Sequence, residues 1–250
     1  AGNYETGSGI KPLTEYSTTD YTAILGTLLS DGSKLEFNYT NNRQDKVGYP
    51  GLNMDIVYSY TDMYTLKYHR VTPFGIFSTM NVELFNTDID HLMDNVVLRG
   101  NTGNGVMANP TASDTYGGRM IGTIGSDIRA GIDYEHNTKD AEQNMVMSGM
   151  NVFMTYLWPG VETEKLGLFF EKDLNNISYG LRYDQVELDP TRAADDPGSG
   201  MMQKTANEVY TADYDGTIVA TKRDFDNISG FLRINKDYNH GESYINFSIN

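Results

Sequence analysis

The sequence predicts an all-β protein, an antiparallel up-and-down transmembrane β-barrel segment of about ten strands. Three observations carry that expectation. Apolar and polar residues alternate with a period of two along most of the chain, which puts one set on each face of a sheet. The links between the alternating runs go short, long, short, long, so all short turns fall on one rim and all long loops on the other. The polar face mixes both charge signs, whereas the apolar face carries tyrosines near the run ends. A soluble sandwich has no reason to sort its loops by rim.

The strands follow in order. Residues 18–29 open the series, and Ser30-Asp31-Gly32-Ser33 turns the chain into 33–42, where Leu35, Phe37 and Tyr39 oppose Glu36, Asn38 and Thr40. After a long link, 62–70 sets Tyr64, Leu66 and Tyr68 against Thr65, Lys67 and His69. The short Val71-Thr72-Pro73-Phe74-Gly75 leads into 75–87, with Ile76, Met80, Val82 and Leu84 against Thr79, Asn81 and Glu83. A long link at 88–115 precedes 116–125, and Gly125-Ser126 joins it to 127–138, where Ile128, Ala130, Ile132 and Tyr134 alternate with Arg129, Gly131, Asp133 and Glu135. A long link at 139–163 precedes 164–172. Asp173-Leu174-Asn175-Asn176 turns into 176–188, whose Ile177, Tyr179, Leu181 and Tyr183 oppose Ser178, Gly180, Arg182 and Asp184. The long link 189–224 leads to 225–236 (Ile228, Leu232, Ile234) and 242–250 (Ile245, Phe247, Ile249). On the charged face fall Glu36, Lys67, Glu83, Arg129, Asp133, Glu135, Glu171, Arg182, Asp184 and Arg233, as in a hydrated lumen braced by ion pairs. On the other fall Tyr39, Tyr64, Tyr68, Tyr134 and Tyr183, as in an aromatic girdle whose hydroxyls stay wet.

Composition narrows the function classes. The 250 residues hold 19 Lys+Arg against 34 Asp+Glu, a formal net charge of −15, which is the wrong sign for a phosphate-backbone binder and excludes nucleic acid as a partner. There is no cysteine, so disulfides, thiolate chemistry and Cys-based zinc sites are excluded. No run approaches the ~18 apolar residues of a membrane helix. No nucleophile elbow, P-loop or zincin motif occurs, and the carboxylates of the polar face interleave with cations, so no enzyme is expected. The opening Ala1-Gly2-Asn3-Tyr4 lacks a basic and an apolar region, as expected of a processed chain or an internal piece.

Several stretches resemble TonB-dependent outer-membrane receptors. Asn3-Tyr4-Glu5-Thr6-Gly7-Ser8-Gly9 is similar to the polar loop after an early barrel strand. The stretch from Val47 through Tyr49-Pro50-Gly51-Leu52-Asn53-Met54-Asp55 to Ile56 is similar to the family's YPALPMD loop, followed as there by Thr61-Asp62-Met63-Tyr64-Thr65-Leu66-Lys67-Tyr68. Asn86-Thr87-Asp88-Ile89-Asp90-His91-Leu92-Met93-Asp94-Asn95 resembles its SDVDHxMDN segment, and Ser113–Arg119 and Tyr179–Asp184 fit as well. The resemblance implies that residues 1–250 are part of a 22-stranded barrel in the outer membrane of a Gram-negative bacterium, its short turns periplasmic and its long loops extracellular. It also implies a plug domain, further strands and a coupling box supplied outside this chain, the TonB energy-coupling complex as partner acting through the plug, and uptake of a metal or metal chelate. The alternatives are a passive porin-like small barrel, and a receptor for a siderophore or cobalamin. A glycan-binding soluble sandwich and a membrane-embedded hydrolase stand further off.

His91-Leu92-Met93 is the sharpest local feature. A histidine and a methionine two apart in an extended segment point the same way, and imidazole plus thioether suits copper, Cu(I) above all. The resemblance to the copper-acquiring branch makes His91 and Met93 the barrel half of a copper site, with copper as transported ligand and no cofactor required. The competing reading makes them loop residues braced by Asp88, Asp90 and Asp94. Of the 12 methionines, Met145, Met147, Met150 and Met154 cluster in one expected loop and Met201-Met202 in another, either as a soft-metal funnel or as apolar filling. The acidic residues Asp189, Asp195, Asp196, Asp213 and Asp215 match no EF-hand spacing.

Overall fold

The structure, a computed structural model, describes residues 9, 14–101, 105–146, 152–191, 222–238 and 241–249. They form one ten-stranded antiparallel sheet, with every strand hydrogen-bonded to its neighbour in sequence. The strands are β1 (Ser17–Leu28), β2 (Lys34–Val47), β3 (Asp55–Arg70), β4 (Thr79–Asp94), β5 (Val106–Ile124), β6 (Ile128–Val146), β7 (Val152–Leu174), β8 (Ile177–Pro190), β9 (Arg223–Tyr238) and β10 (Gly241–Ile249). No helix long and apolar enough to cross a membrane occurs among them, and a strand crosses without one. Among the described residues β1 and β10 each have a single neighbour, so the sheet stays open and does not close as a small barrel.

The register confirms the facing read from alternation. Leu35, Phe37 and Tyr39 of β2 stand opposite Tyr68, Leu66 and Tyr64 of β3. Leu66 and Tyr68 face Leu84 and Val82 of β4. The same face then runs through Met120, Ile132, Leu168 and Tyr183. It has no apolar layer against it: Leu84, Leu168, Leu181, Ile228 and Phe247 are exposed. Among the described residues the buried hydrophobic ones are Ile56, Ala141 and Val161, too few for a soluble-protein core. The opposite face carries every charged residue expected on it. A hollow of about 360 Å³ opens on it, lined among others by Arg119, Arg129, Phe169, Glu171, Arg182 and Phe231, and a charged face opposite an apolar one is the inner side of a barrel wall.

Large residues on that side lie across glycines of the next strand. Phe85, Phe169 and Phe231 are paired with Gly117, Gly131 and Gly180, and a Cβ at those glycines would meet the rings at 2.7, 2.4 and 2.4 Å. The glycines are required by close approach rather than by a turn.

The strands run further than alternation predicts, and they do so at one rim. β3 begins at Asp55 rather than 62, β4 ends at Asp94 rather than 87, and β5 to β7 extend by similar or greater lengths. Of the links left at that rim, 48–54 and 147–151 are no longer than the 71–78 turn at the other, but 95–105 and 191–222 are longer, so the rims differ both in strand overhang and in link length. The overhang escapes the alternation rule because both its faces are polar: Asn41, Arg43 and Asp45 alternate with Thr40, Asn42 and Gln44.

Candidate functional site: the inner wall and the overhanging rim

On the outward face the apolar band ends in tyrosines. Tyr39 and Tyr64 stack at 5.0 Å and Tyr116 stacks on His136 at 4.8 Å. Their hydroxyls and those beyond them reach carboxylates on the overhang side: Tyr39 donates to Asp62 at 2.8 Å, Tyr60 to Asp45 at 2.9 Å and Tyr183 to Asp226 at 2.6 Å. Arg43 closes the Asp62 cluster at 2.5 Å. The stretch 79–86, from the turn rim to the tyrosine level, rises roughly 20 Å at ~3.3 Å per residue and a tilt of ~40°, near the ~25 Å apolar band of an outer-membrane barrel. Residues beyond it, His91 included, lie outside the membrane-crossing portion.

Inside, most charges of that portion are paired within the wall among the described residues. Arg119 and Arg182 hold Asp133 at 2.5 and 2.7 Å, Arg182 also holds Asp184 at 2.6 Å, and Arg129 meets Glu171 at 3.0 Å. Lys34–Glu36, Lys67–Glu83 and Lys165–Glu135 extend the pattern at 2.6, 3.9 and 3.8 Å. The hollow between β5 and β9 therefore offers paired rather than free cations, a poor anion site.

His91 and Met93 lie in β4 and not in a loop, which corrects that part of the sequence reading, and they share the inner face as their spacing required. His91 stands between Ser59 of β3 and Thr111 of β5, and Met93 between Ile56 and Asn109. Among the described residues, His91 Nε2 and Asn109 Oδ1 are buried with no hydrogen-bond partner. Such atoms call for an explanation, an ion being one. Burial pushes the His91 imidazole below its usual value, against the pull of Asp90, and so favours the neutral ring a metal needs. Asp88, Asp90 and Asp94 do not brace the pair. Asp88 and Asp90 alternate with it onto the outward face, and Asp94 accepts from the amides of Val96 and Val97 at 3.0 Å each.

Sequence reasoning left two further methionines as loop residues. Met107 on β5 and Met145 on β6 are directly paired, and continuing the register from Asn109 puts both on the inner face, Met107 diagonal to Met93. Diagonal neighbours on one face lie about 7–8 Å apart. His91, Met93, Met107 and Met145 thus form one patch of soft donors near the overhanging rim. Met154 is in β7, while Met147, Met150, Met201, Met202, Asp195, Asp196, Asp213 and Asp215 lie outside the described residues; Asp189 is in β8. No three His, Asp or Glu side chains converge as a metal site among the described residues.

A latch sits directly above this patch. Asp55 is 0% exposed and takes both arms of Arg99, Nε at 2.7 Å and Nη2 at 2.9 Å, as well as the Tyr49 amide at 2.8 Å. Arg99 Nη2 also donates to the Tyr49 carbonyl at 2.8 Å. One ion pair thereby ties the 48–54 link to the 95–105 link. Burial pushes the Asp55 carboxyl up, but Arg99 and the Tyr49 amide outweigh it and hold the group below the usual carboxylate range. Asn95 braces the same link, donating to the Gly105 carbonyl at 2.8 Å and accepting from the Met107 amide at 2.9 Å.

No family model matches the chain, and no curated protein matches it. Among solved structures the chain is similar to one described as copper transporter OprC, at 17% identity and a TM-score of 0.71, covering 98% of this chain and 38% of that one. The fold is that of a barrel wall. The chain spans well under half of that structure's length, and at this identity the likeness establishes architecture alone. An all-β sheet with an outward apolar band fits an outer-membrane location.

Proposed function

We propose that this chain is part of the barrel of a TonB-dependent outer-membrane receptor that takes up a metal or metal chelate, with copper as the favoured cargo. The observation that carries the reading is the inner-face patch: His91 with its buried, unpartnered Nε2, next to the thioethers of Met93 and Met107, with Met145 beyond. Neutral imidazole and thioether are soft donors that suit Cu(I) over hard cations. The likeness to a solved copper transporter supports the choice of cargo. Among the described residues most cations of the wall below are paired, and this reading puts selectivity on the patch and on the links held by Asp55 and Arg99. The short-turn rim is then periplasmic and the overhang extracellular. Movement past the patch would require the plug and the energy-coupling complex that the family resemblance implies, neither within these 250 residues. The role is transport and not catalysis.

The test is copper retention by the full-length receptor. The His91→Ala/Met93→Ala double variant, loaded with Cu(I) and desalted, is expected to lose its bound copper by elemental analysis while keeping its barrel. Unchanged copper content removes the copper reading, and retention of an iron chelate or cobalamin by both proteins would support the siderophore or cobalamin alternative.

A further inference from the structure

The turn between β3 and β4, residues 71–78, is unlike the other turns on its rim. Those at 29–33, 125–127 and 175–176 are mostly polar or small. This one reads Val71-Thr72-Pro73-Phe74-Gly75-Ile76-Phe77-Ser78 and leaves Val71, Phe74 and Ile76 54%, 57% and 69% exposed. It is nevertheless held firmly. Phe74 and Phe77 exchange backbone hydrogen bonds of 2.8 and 3.0 Å, with Gly75 at φ +59° in the first central position, where a type II′ turn requires positive φ. Ser78 Oγ donates to the carbonyls of Thr123 and Gly125 at 3.0 and 2.6 Å, which ties the turn to its neighbour. Arg70 donates to the Thr72 carbonyl at 3.1 Å and pairs with Asp31 at 2.9 Å. A displayed apolar turn that is also pinned in place calls for a partner.

Its direction identifies that partner. Arg70 is on the outward face by register with Met80, and its guanidinium lies 5.0 Å over the Phe74 ring. Phe77 lies over Gly122, whose added Cβ would meet the ring at 2.2 Å, and Gly122 is also on the outward face. Both phenylalanines therefore continue the surface that Leu66, Val82 and Leu84 present. We propose that this turn is a membrane-interface anchor, with Phe74, Ile76 and Phe77 seated among the headgroups and upper acyl chains of the phospholipid leaflet on the short-turn side. Aromatic residues with a polar neighbour settle at that depth, and the Arg70–Asp31 pair at its base would fix the height of the wall against the leaflet.

The inference rests on the membrane reading, and the test separates the two. The chain has no cysteine of its own, so Ile76→Cys, Ser126→Cys and Leu84→Cys are each spin-labelled in the full-length protein with any cysteine outside these 250 residues replaced by Ser. Each is reconstituted into phosphatidylethanolamine/phosphatidylglycerol vesicles, and collision with oxygen is compared with collision with a water-soluble nickel chelate. Label at 84 is expected deep in lipid, label at 126 in water, and label at 76 below the phosphates, with oxygen contact several-fold higher relative to nickel than at 126. Lipid contact at 84 with water at 76 equal to that at 126 overturns the anchor and leaves the barrel standing. Water at 84 as well overturns both. A Phe74→Trp variant in a background with Trp158 and any tryptophan outside these 250 residues replaced by Phe gives a second measurement. Emission quenched by lipids brominated near the headgroup and shielded from iodide supports the anchor, and the reverse pattern refutes it.

Discussion

Leu84→Arg puts the membrane reading at risk at one residue. Leu84 is half exposed on the outward face between Leu66 and Gly118, inside the apolar band, five residues from the start of β4 and two short of the tyrosine level at Asn86. Were that face wet, an arginine there would cost almost nothing. In hydrocarbon, an arginine near the middle of a barrel's apolar band costs about 2–4 kcal/mol, roughly 30- to 900-fold in the folding equilibrium. The adjacent residue supplies the control. Glu83 faces inward and loses only a half-exposed pair with Lys67 at 3.9 Å when it becomes Gln, which costs under about 1 kcal/mol. The assay is guanidinium unfolding of the full-length protein in phospholipid vesicles, followed by tryptophan emission and by heat-modifiable gel mobility. The midpoint should fall clearly for Leu84→Arg and barely move for Glu83→Gln. Equal midpoints for Leu84→Arg and the parent protein, or a larger loss for Glu83→Gln, would refute the facing on which every other conclusion depends.

Other outcomes follow from the same geometry. Arg99→Leu strands a buried Asp55 carboxylate and should cost about 3 kcal/mol in the same assay, with faster amide exchange across 48–54 and 95–105; unchanged exchange would show that the latch holds nothing. Because the folded-state carboxyl of Asp55 titrates below its usual range, its contribution should be fully present above the unfolded value of ~3.9 and fall away as pH drops through the folded one; Asp55→Asn should therefore flatten the acid limb of a midpoint-against-pH curve. Met107→Leu keeps the volume and removes the thioether, so it should leave stability within about 1.5 kcal/mol yet lower Cu(I) affinity on the order of 10-fold or more, the scale of losses at groups supporting a metal site, read by competition with a Cu(I) chelator. Gly180→Val drives a Cβ to 2.4 Å from the Phe231 ring and should cost about 1–3 kcal/mol, with Phe231→Ala restoring part of it; a neutral Gly180→Val would show that the ring moves freely.

Strand order and facing were legible because a barrel wall in lipid has one greasy and one wet side, and Leu35, Phe37 and Tyr39 or Ile177, Tyr179 and Leu181 obey that rule strictly. Beyond the tyrosines the rule stops applying. Both sides of the overhang meet water, so Asp88 and Asp90, outward, look no different from Thr87 and His91, inward. His91 and Met93 could be paired from a spacing of two, but Met107 and Met145 could not be added, because they are distant in sequence and only register aligns them. The same holds for Asp55 and Arg99, which are 44 residues apart.

Alternation along the chain is a local property, fixed by which solvent each side chain meets, and by itself it determined an all-β wall with charges on one side and hydrocarbon-facing residues on the other. Register, overhang and the joining of distant links depend on which strand lies beside which and by how much it is offset. Those are pairwise choices made between segments, and only the tertiary structure decided them: it set His91, Met93, Met107 and Met145 on one patch, tied the two links above it through a buried ion pair, and turned Phe74 and Phe77 toward the membrane side.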